Sequence, residues 1–377
     1  MYNVLTLNKI AKCGTDILGD NYKVSDNETN PVAVLVRSAS MHEMEMPESL
    51  LAIARAGAGV NNIPIKDCAE KGIVVFNSPG ANANAVKELV VAGLLMSSRK
   101  IVNGIEWAKT LKGNGDQVGK MVEKGKSNFA GPEIMGKTLG VIGLGAIGIK
   151  VANVASALGM KVVGCDPFLN EANKAKLVDC KIVETNDEVY AEADYITVHV
   201  PLNDSTRGMI NKETISKMKD GVRVLNYSRD GLVNSTDILD ALKSGKMSAY
   251  VTDFATDDIL GEDGVIAMPH LGASTPESED NCAVMAATEV KDYLENGNIV
   301  NSVNLPCLSK DKTGGTRVCV IAKADADTDA IVKATGSDDF ATATRGDFSY
   351  TIIDNATNTD VNVDGVIKVC LLYTSDA

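Results

Sequence analysis

The chain of 377 residues is short of several things that would have fixed its class at once. It lacks positive charge: 37 Lys and Arg stand against 50 Asp and Glu, a formal net charge of −13. Nucleic acid or an anionic membrane surface calls for clustered basic residues, so neither is expected as a partner. A small acidic substrate stays open, because a few local arginines suffice for one. Histidine is scarce, with only His42, His199 and His270, and none of the eight cysteines forms a C-x-x-C pair. Metal-site spacing is therefore missing and no metal is expected. Scattered cysteines in a chain this long read as reduced thiols of a cytoplasmic protein. The start, "MYNVLTLNKIAKCG", has no basic stretch followed by an apolar one, so no secretory signal is expected. The most apolar stretch, 139–160, is glycine-rich and broken by Lys150, too interrupted for a membrane span. No internal repeat is present.

What remains is a chain that is 45% hydrophobic and long enough for two or three domains. In the first part, "VAVLVRS" (32–38) and "IVVFNS" (73–78) are apolar and β-branched, as buried parallel strands are. "AVKELVVAGLLMSSRKI" (85–101) has apolar residues at helical spacing and basic residues at its end. A small β/α domain is the reading. Residues 102–137 are polar and contain the only tryptophan, Trp107. They read as a helix and an arm, either an oligomer contact or a solvated connection. From 138 onward, "TLGVIG", "KVVGCD", "YITVHV", "VRVLNYS", "AYVTDF" and "GVIAMPH" recur with helix-like segments between most of them. That alternation implies a doubly wound parallel sheet. One clear helix follows, "PESEDNCAVMAATEVKDYLENG", with Pro276 in its first turn and Asn296-Gly297 at its end.

"VIGLGAIG" places Gly143, Gly145 and Gly148 between a strand and a helix, and the next strand ends in Asp166, 23 residues after Gly143. Each position meets a physical demand of dinucleotide binding. The first glycine permits the tight turn, the second lets a pyrophosphate approach the backbone, and the third lets helix and strand pack closely. The helix start offers unpaired N–H groups to the phosphates. Asp166 can accept hydrogen bonds from both ribose hydroxyls and would repel a 2′-phosphate, which favours NAD over NADP.

Three further features fall where such a sheet presents its strand C-terminal ends. Arg229 follows "LNYS", Asp253, Asp257 and Asp258 lie in "VTDFATDD", and His270 closes "GVIAMPH". An arginine grips a carboxylate through two parallel hydrogen bonds. A histidine passes a proton near neutral pH, and a carboxylate beside it holds its tautomer. Each also has a plain structural reading: Arg229 as ion-pair partner of Asp230, the aspartates as helix caps, His270 as a strand-end residue.

At these residues the chain resembles the D-isomer-specific 2-hydroxyacid dehydrogenase family, from about Val32 to Leu305. The likeness rests on "VRSAS", "ARAGAGVNNI", "VFNSPGANANAVKEL", the glycine motif with Asp166, "HVPLNDSTRGMI", "NYSRDGLV" and "MPHLGAST". It implies NAD-dependent hydride transfer, with Arg229, Asp257 and His270 as catalytic arginine, acid and histidine. The family often has Glu at the acid position, and Asp258 stands beside Asp257 as the alternative. Asp230 also departs from the glycine the family commonly has after its arginine. Further cofactor contacts are expected from Ala146, Ile147, Pro167, His199, Val200, Pro201, Thr206, Tyr227, Asp253, Gly272 and Ala273. Substrate contacts are expected from Arg37, Ser38, Arg55, Ala58, Gly59, Val60 and Asn82. Two arginines suit a phosphorylated hydroxy acid, since guanidinium matches phosphate oxygens; the alternative is that they pair with local acids. The resemblance implies 3-phosphoglycerate and its keto partner, in serine biosynthesis. Reduction of hydroxypyruvate, glyoxylate or another 2-keto acid is the alternative within the class, and a non-catalytic NAD-sensing protein the alternative outside it.

The implied architecture is α/β. A Rossmann-type nucleotide domain (98–275) is inserted in a discontinuous, flavodoxin-like substrate domain (1–97 and 276–304), and the family is usually a homodimer or homotetramer. Residues 312–372 resemble a small α+β ACT-like regulatory domain. Its first loop, "KADADTD", lacks the glycine or asparagine pattern expected for amino-acid binding, which argues against strong serine inhibition. The closing "YTSDA" shows no pattern that continues the last strand.

Overall fold

A computed structural model describes residues 1–372; the "YTSDA" segment lies outside the described residues. The chain divides into two units, one built from residues 1–82 and from Pro276 onward, the other from Ala83–Thr275.

The first unit carries a five-stranded parallel sheet of β1 (Tyr2–Leu7), β2 (Tyr22–Ser25), β3 (Ala33–Val36), β4 (Ala52–Arg55) and β5 (Val74–Asn77). Their order is β2-β1-β3-β4-β5, the flavodoxin-like order. Every residue of β3, "AVLV", is buried, because both faces of the sheet are covered. One face packs on the helix Pro276–Asn296 through Ala286, Val290 and Leu294. The other buries Val34, Ile53 and Val75 with Met41, Ile63 and Cys68.

The second unit carries β6 (Thr138–Ile142), β7 (Lys161–Cys165), β8 (Cys180–Ile182), β9 (Tyr195–Val198), β10 (Val222–Asn226), β11 (Met247–Thr252) and β12 (Val265–Ala267). All pairings are parallel, in the order β12-β11-β10-β9-β6-β7-β8. This is the doubly wound, Rossmann-like order with its switch point beside β6, where ligands bind in open α/β sheets. The helix Ala83–Arg99 belongs here: Val86, Val90 and Leu94 share a core with Val141, Leu225 and Val251. The chain therefore passes between units at Asn82/Ala83, one helix earlier than the expected 97/98. Residues 102–137 form the helices Ile101–Thr110 and Val118–Gly125 with two short 3₁₀ turns, and Trp107 packs on Phe129 at 5.1 Å.

The tail forms a four-stranded antiparallel sheet from β13 (Arg317–Lys323), β14 (Phe340–Arg345), β15 (Phe348–Ile353) and β16 (Val366–Leu372), ordered β14-β15-β13-β16. The helix Thr328–Thr335 covers it. No second helix forms in "NATNTDVNV" (355–363). The Asn358 side chain instead accepts from the Asp360 backbone N–H through Oδ1 and donates from Nδ2 to the Ala334 carbonyl oxygen. Nor is the tail a separate body. Cys319, Ile321, Tyr350 and Ile352 share one core with Val4, Phe76 and Tyr293. Gly297 follows the long helix with φ +74°, and a Cβ there would meet Cys319 Sγ at 2.4 Å. Fully buried Arg317 donates to both oxygens of Asp354 at 2.6 and 2.8 Å and to the carbonyl oxygens of Asn296 and Lys310. The Arg317 and Lys310 cations beside Asp354 hold its carboxyl well below the usual carboxylate range.

Candidate active site

In the seven-stranded sheet, every candidate residue follows a strand at the same edge, because the strands are parallel. The glycine turn follows β6, Asp166 follows β7, His199 follows β9, Arg229 follows β10, Asp253 follows β11 and His270 follows β12.

The three glycines are each needed, for different reasons. Gly143 has φ +92°, and a Cβ on it would lie 2.5 Å from the His199 carbonyl oxygen. A Cβ on Gly148 would lie 1.9 Å from the Gly143 carbonyl oxygen, so helix and turn touch only without a side chain. Gly145 differs: a Cβ there meets nothing within 4 Å. That open space lies at the N-cap of the helix Ala146–Ala157, where no side chain caps the first turn. Unpaired N–H groups facing open space are what a pyrophosphate requires. Ala146 and Ile147 are the first residues of this helix.

Asp166 braces the turn. Its Oδ2 accepts from the Leu144 N–H and its Oδ1 from the Phe168 N–H, both at 2.8 Å. Each oxygen retains acceptor capacity for a ribose hydroxyl. Pro167 beside it is exposed. His199 is shielded, with Nδ1 buried and unpartnered and Nε2 3.0 Å from Thr197 Oγ1. Burial pushes its imidazole down to about 4, so it is neutral at pH 7 and contributes shape rather than charge. Val200 and Pro201 present their carbonyl oxygens to Ser228 Oγ and Thr206 Oγ1. The Thr206 hydroxyl is thus engaged in its own loop. Tyr227, directly after β10, is buried. Its ring turns into the core beside the helix Ala83–Arg99, so close that a Cβ on Gly93 would lie 2.1 Å from its hydroxyl.

The carboxylate against His270 is Asp253, not Asp257 or Asp258. His270 Nδ1 lies 3.0 Å from Asp253 Oδ2. The aspartate is fully buried, and its Oδ2 also accepts from the Gly272 N–H at 3.3 Å. With Asp253 as acceptor, Nδ1 carries the proton and Nε2 presents a lone pair. The imidazole stays more than half exposed and rests on Phe254, ring centroids 4.8 Å apart. Ala273, two residues beyond the loop's Leu271, is half-buried. Asp257 is exposed and forms no hydrogen bond or ion pair among the described residues. Asp258 is exposed too, held below the usual carboxylate range by the hydroxyls of Thr256 and Ser235. The two lie past the end of β11, where the chain has already turned away. Sequence reasoning gave Asp253 to the cofactor; the structure places it directly after β11, against His270. Arg229 is exposed, and its Nη1 donates only to the Ser228 carbonyl oxygen. The ion pair with Asp230 is not formed among the described residues.

In the five-stranded sheet, the expected substrate residues also gather at one edge. Arg37 follows β3, Arg55 ends β4 and Asn82 lies beyond β5. Arg37 Nη2 pairs with Glu279 Oε1 at 2.5 Å, and Arg55 Nε donates to the Arg37 carbonyl oxygen at 3.0 Å. Ser38 gives its N–H to Asn8 Oδ1 at 2.8 Å, a contact no motif announced. By contrast the N–H groups of Ala58, Gly59 and Val60 donate to nothing among the described residues, and Asn82 leaves its amide unpaired. Among the described residues no group of three or more His, Cys, Asp or Glu could hold a metal.

The open glycine turn and the His270–Asp253 pair thus lie along one edge of the seven-stranded sheet. Residues 91–273 match the family described as D-isomer specific 2-hydroxyacid dehydrogenase, NAD binding domain. A Thermotoga maritima hydroxypyruvate reductase is 39% identical over 65% of this chain and 79% of its own length. The chain belongs to the D-isomer-specific 2-hydroxyacid dehydrogenase family, and its seven-stranded unit is the family's NAD-binding domain. Among particular proteins, it is similar to the D-3-phosphoglycerate dehydrogenase of Bacillus subtilis, 33% identical over 83% of this chain and 61% of that one. It also resembles the solved NAD⁺-bound 3-phosphoglycerate dehydrogenase of Entamoeba histolytica, at 25% identity, TM-score 0.63, covering 81% of this chain and 99% of that one. The chain spans only 51–61% of the length of the curated D-3-phosphoglycerate dehydrogenases it matches.

Proposed function

We propose that the chain is an NAD-dependent dehydrogenase that interconverts a 2-hydroxy acid and its 2-keto acid, with 3-phosphoglycerate and 3-phosphohydroxypyruvate as the preferred pair. The observation that carries this is the His270–Asp253 contact at 3.0 Å, on the sheet edge that also bears the open glycine turn. The residues fit a dinucleotide: Gly145 leaves room, the helix Ala146–Ala157 offers its start and Asp166 offers acceptors. NAD, when bound, takes up the hydride in oxidation and gives it back in reduction.

His270 Nε2 removes the hydroxyl proton as the carbonyl forms, and returns it in the reverse direction. Asp253 accepts the Nδ1 proton and so holds the tautomer that leaves Nε2 free. Arg229, with no anionic partner among the described residues, binds the substrate carboxylate and polarises the developing carbonyl. The free N–H groups at 58–60 and the Asn82 amide grip anionic substrate oxygens, with Arg55 and Arg37 for the phosphate. Arg37 leaves Glu279 to do so, an exchange of one exposed ion pair for another.

The deciding assay is NADH oxidation with 3-phosphohydroxypyruvate, hydroxypyruvate and glyoxylate. A higher kcat/KM for the phosphorylated acid supports the reading; equal or reversed preference favours a hydroxypyruvate or glyoxylate reductase, which the present engagement of Arg37 by Glu279 would suit. The tail's antiparallel sheet and its single helix Thr328–Thr335 support an ACT-like reading with one helix missing. Its first loop uses its N–H groups internally, Ala324 to Asp347 and Ala326 to Lys323, so L-serine should not inhibit. A homodimer or homotetramer is expected, with exposed Ile101, Val102 and Ile105 as a candidate face; light scattering reads the mass. All eight cysteines are unpaired, which suits the cytoplasm, and among the described residues no helix is long and apolar enough to cross a membrane.

A further inference from the structure

The loop that follows β3 has its backbone held by side chains from three other segments of the same unit. Leu7 of β1 pairs with Val36 of β3, which brings the next residue, Asn8, beside the start of that loop. Asn8 Oδ1 accepts from the Ser38 N–H at 2.8 Å and from the Ala39 N–H at 2.7 Å. From the end of β4, Arg55 Nε donates to the Arg37 carbonyl oxygen at 3.0 Å. From beyond β4, Asn62 Nδ2 donates to the Ala39 carbonyl oxygen at 2.8 Å. Residues 37, 38 and 39 are thus each tied by at least one backbone group.

Ser38 is exposed, so water would serve its N–H almost as well. What a side chain adds there is a fixed position. Asn8 has φ +72°, a left-handed conformation that asparagine tolerates better than most residues. Two N–H donors on Oδ1 also settle which way its amide faces. Asn8 is itself exposed and belongs to neither hydrophobic core of the five-stranded sheet. Arg55 and Arg37 have binding roles above, and Asn62 is partly buried; Asn8 touches the loop without either complication.

We propose that Asn8 is a positioning residue for substrate selection: by holding the Ser38 and Ala39 N–H groups it sets where the Arg37 guanidinium meets the substrate phosphate. The inference rests on the substrate reading given above. Guanidinium and phosphate meet through a planar fork of parallel hydrogen bonds, so a small shift of the Arg37 backbone degrades the match. A 2-keto acid without a phosphate does not use that fork, and proton transfer at His270 does not depend on it.

Asn8→Gly tests this, because glycine keeps φ +72° without strain and removes the acceptor. In NADH oxidation by the full chain, KM for 3-phosphohydroxypyruvate should rise about tenfold, the scale of one hydrogen bond to a charged group. The kcat, the KM for hydroxypyruvate and the affinity for NADH should stay as in the native chain. Amide hydrogen exchange at Ser38 and Ala39 should quicken in this variant, a readout that needs no substrate. Asn8→Asp keeps an acceptor for both amides and should leave their exchange native. Equal rises of KM for both acids, a fall in kcat, or unchanged exchange in Asn8→Gly would each overturn the proposal. A native chain that does not prefer 3-phosphohydroxypyruvate would overturn the substrate reading and the proposal with it. A native preference that survives Asn8→Gly would overturn the proposal alone.

Discussion

The two parallel sheets are built alike and finished differently. At the edge of the seven-stranded sheet, among the described residues, the candidate groups are left unspent: Arg229 has no acid, His270 Nε2 has no partner, and the helix after Gly145 has no side-chain cap. At the edge of the five-stranded sheet, charged groups are tied to neighbours, Arg37 to Glu279 and Arg55 to the Arg37 carbonyl oxygen. What is left open there is backbone, the N–H groups of 58–60. The difference suits a division between chemistry and grip. Proton transfer needs a side chain whose one reactive atom is free and whose other is fixed, as His270 is by Asp253. Holding an anion needs donors that do not move, and backbone N–H groups in a loop anchored on strand ends serve that.

Four changes would break or sharpen this contrast. The largest effect belongs to His270→Ala, expected to lower turnover by ~10²–10⁴ while NADH still binds, as stopped-flow and fluorescence titration would show. Near-normal turnover would remove the seven-stranded sheet's claim to the chemistry. Next is the tail's anchor in the first unit: Arg317→Ala should cost about 3–5 kcal/mol in chemical denaturation, because it strands Asp354 in the core. The same pair sets a pH dependence. The Asp354 carboxyl is held down in the folded state, so its stabilisation is present above the unfolded value of about 4 and is lost as pH falls below it. The native chain should therefore unfold more readily in acid than the Arg317→Ala, Asp354→Ala double variant does, relative to each one's stability at pH 7. Third, Asp253→Asn should lower kcat by on the order of 10²-fold or more, through loss of the held tautomer. Asp257→Asn should change it little; the opposite ranking would restore the acid the family motif suggests. Smallest, Glu279→Ala frees Arg37 and should lower KM for 3-phosphohydroxypyruvate a few-fold with kcat unchanged, an exposed pair being worth under about 1 kcal/mol.

Much of this was legible along the chain, and the reason differs by feature. The strands β3, β5, β6 and β9 announce themselves because strands buried on both faces read as unbroken apolar runs. β8, "CKI", is three residues at a sheet edge with two of them exposed, and carries no such signal. The glycine turn was legible because its spacing is dictated by covalent geometry within a few residues. Asp166 was legible for the same local reason. The partner of His270 was not. Asp253, Asp257 and Asp258 stand within six residues of one another, and all are aspartates. Which one meets a histidine two strands' length away depends on where β11 stops and on the parallel pairing of Thr252 with Ala267.

The sequence by itself determined what short-range sterics and periodicity can encode: two α/β halves, the dinucleotide turn, and a histidine and an arginine at strand ends. The tertiary structure alone decided which carboxylate stands behind His270, that Tyr227 faces the core, that Arg37 is held by Glu279, and that the tail joins the first unit through Arg317 and Asp354. Those contacts join residues far apart in the chain, and their partners are chosen by strand register and burial, which no local pattern carries.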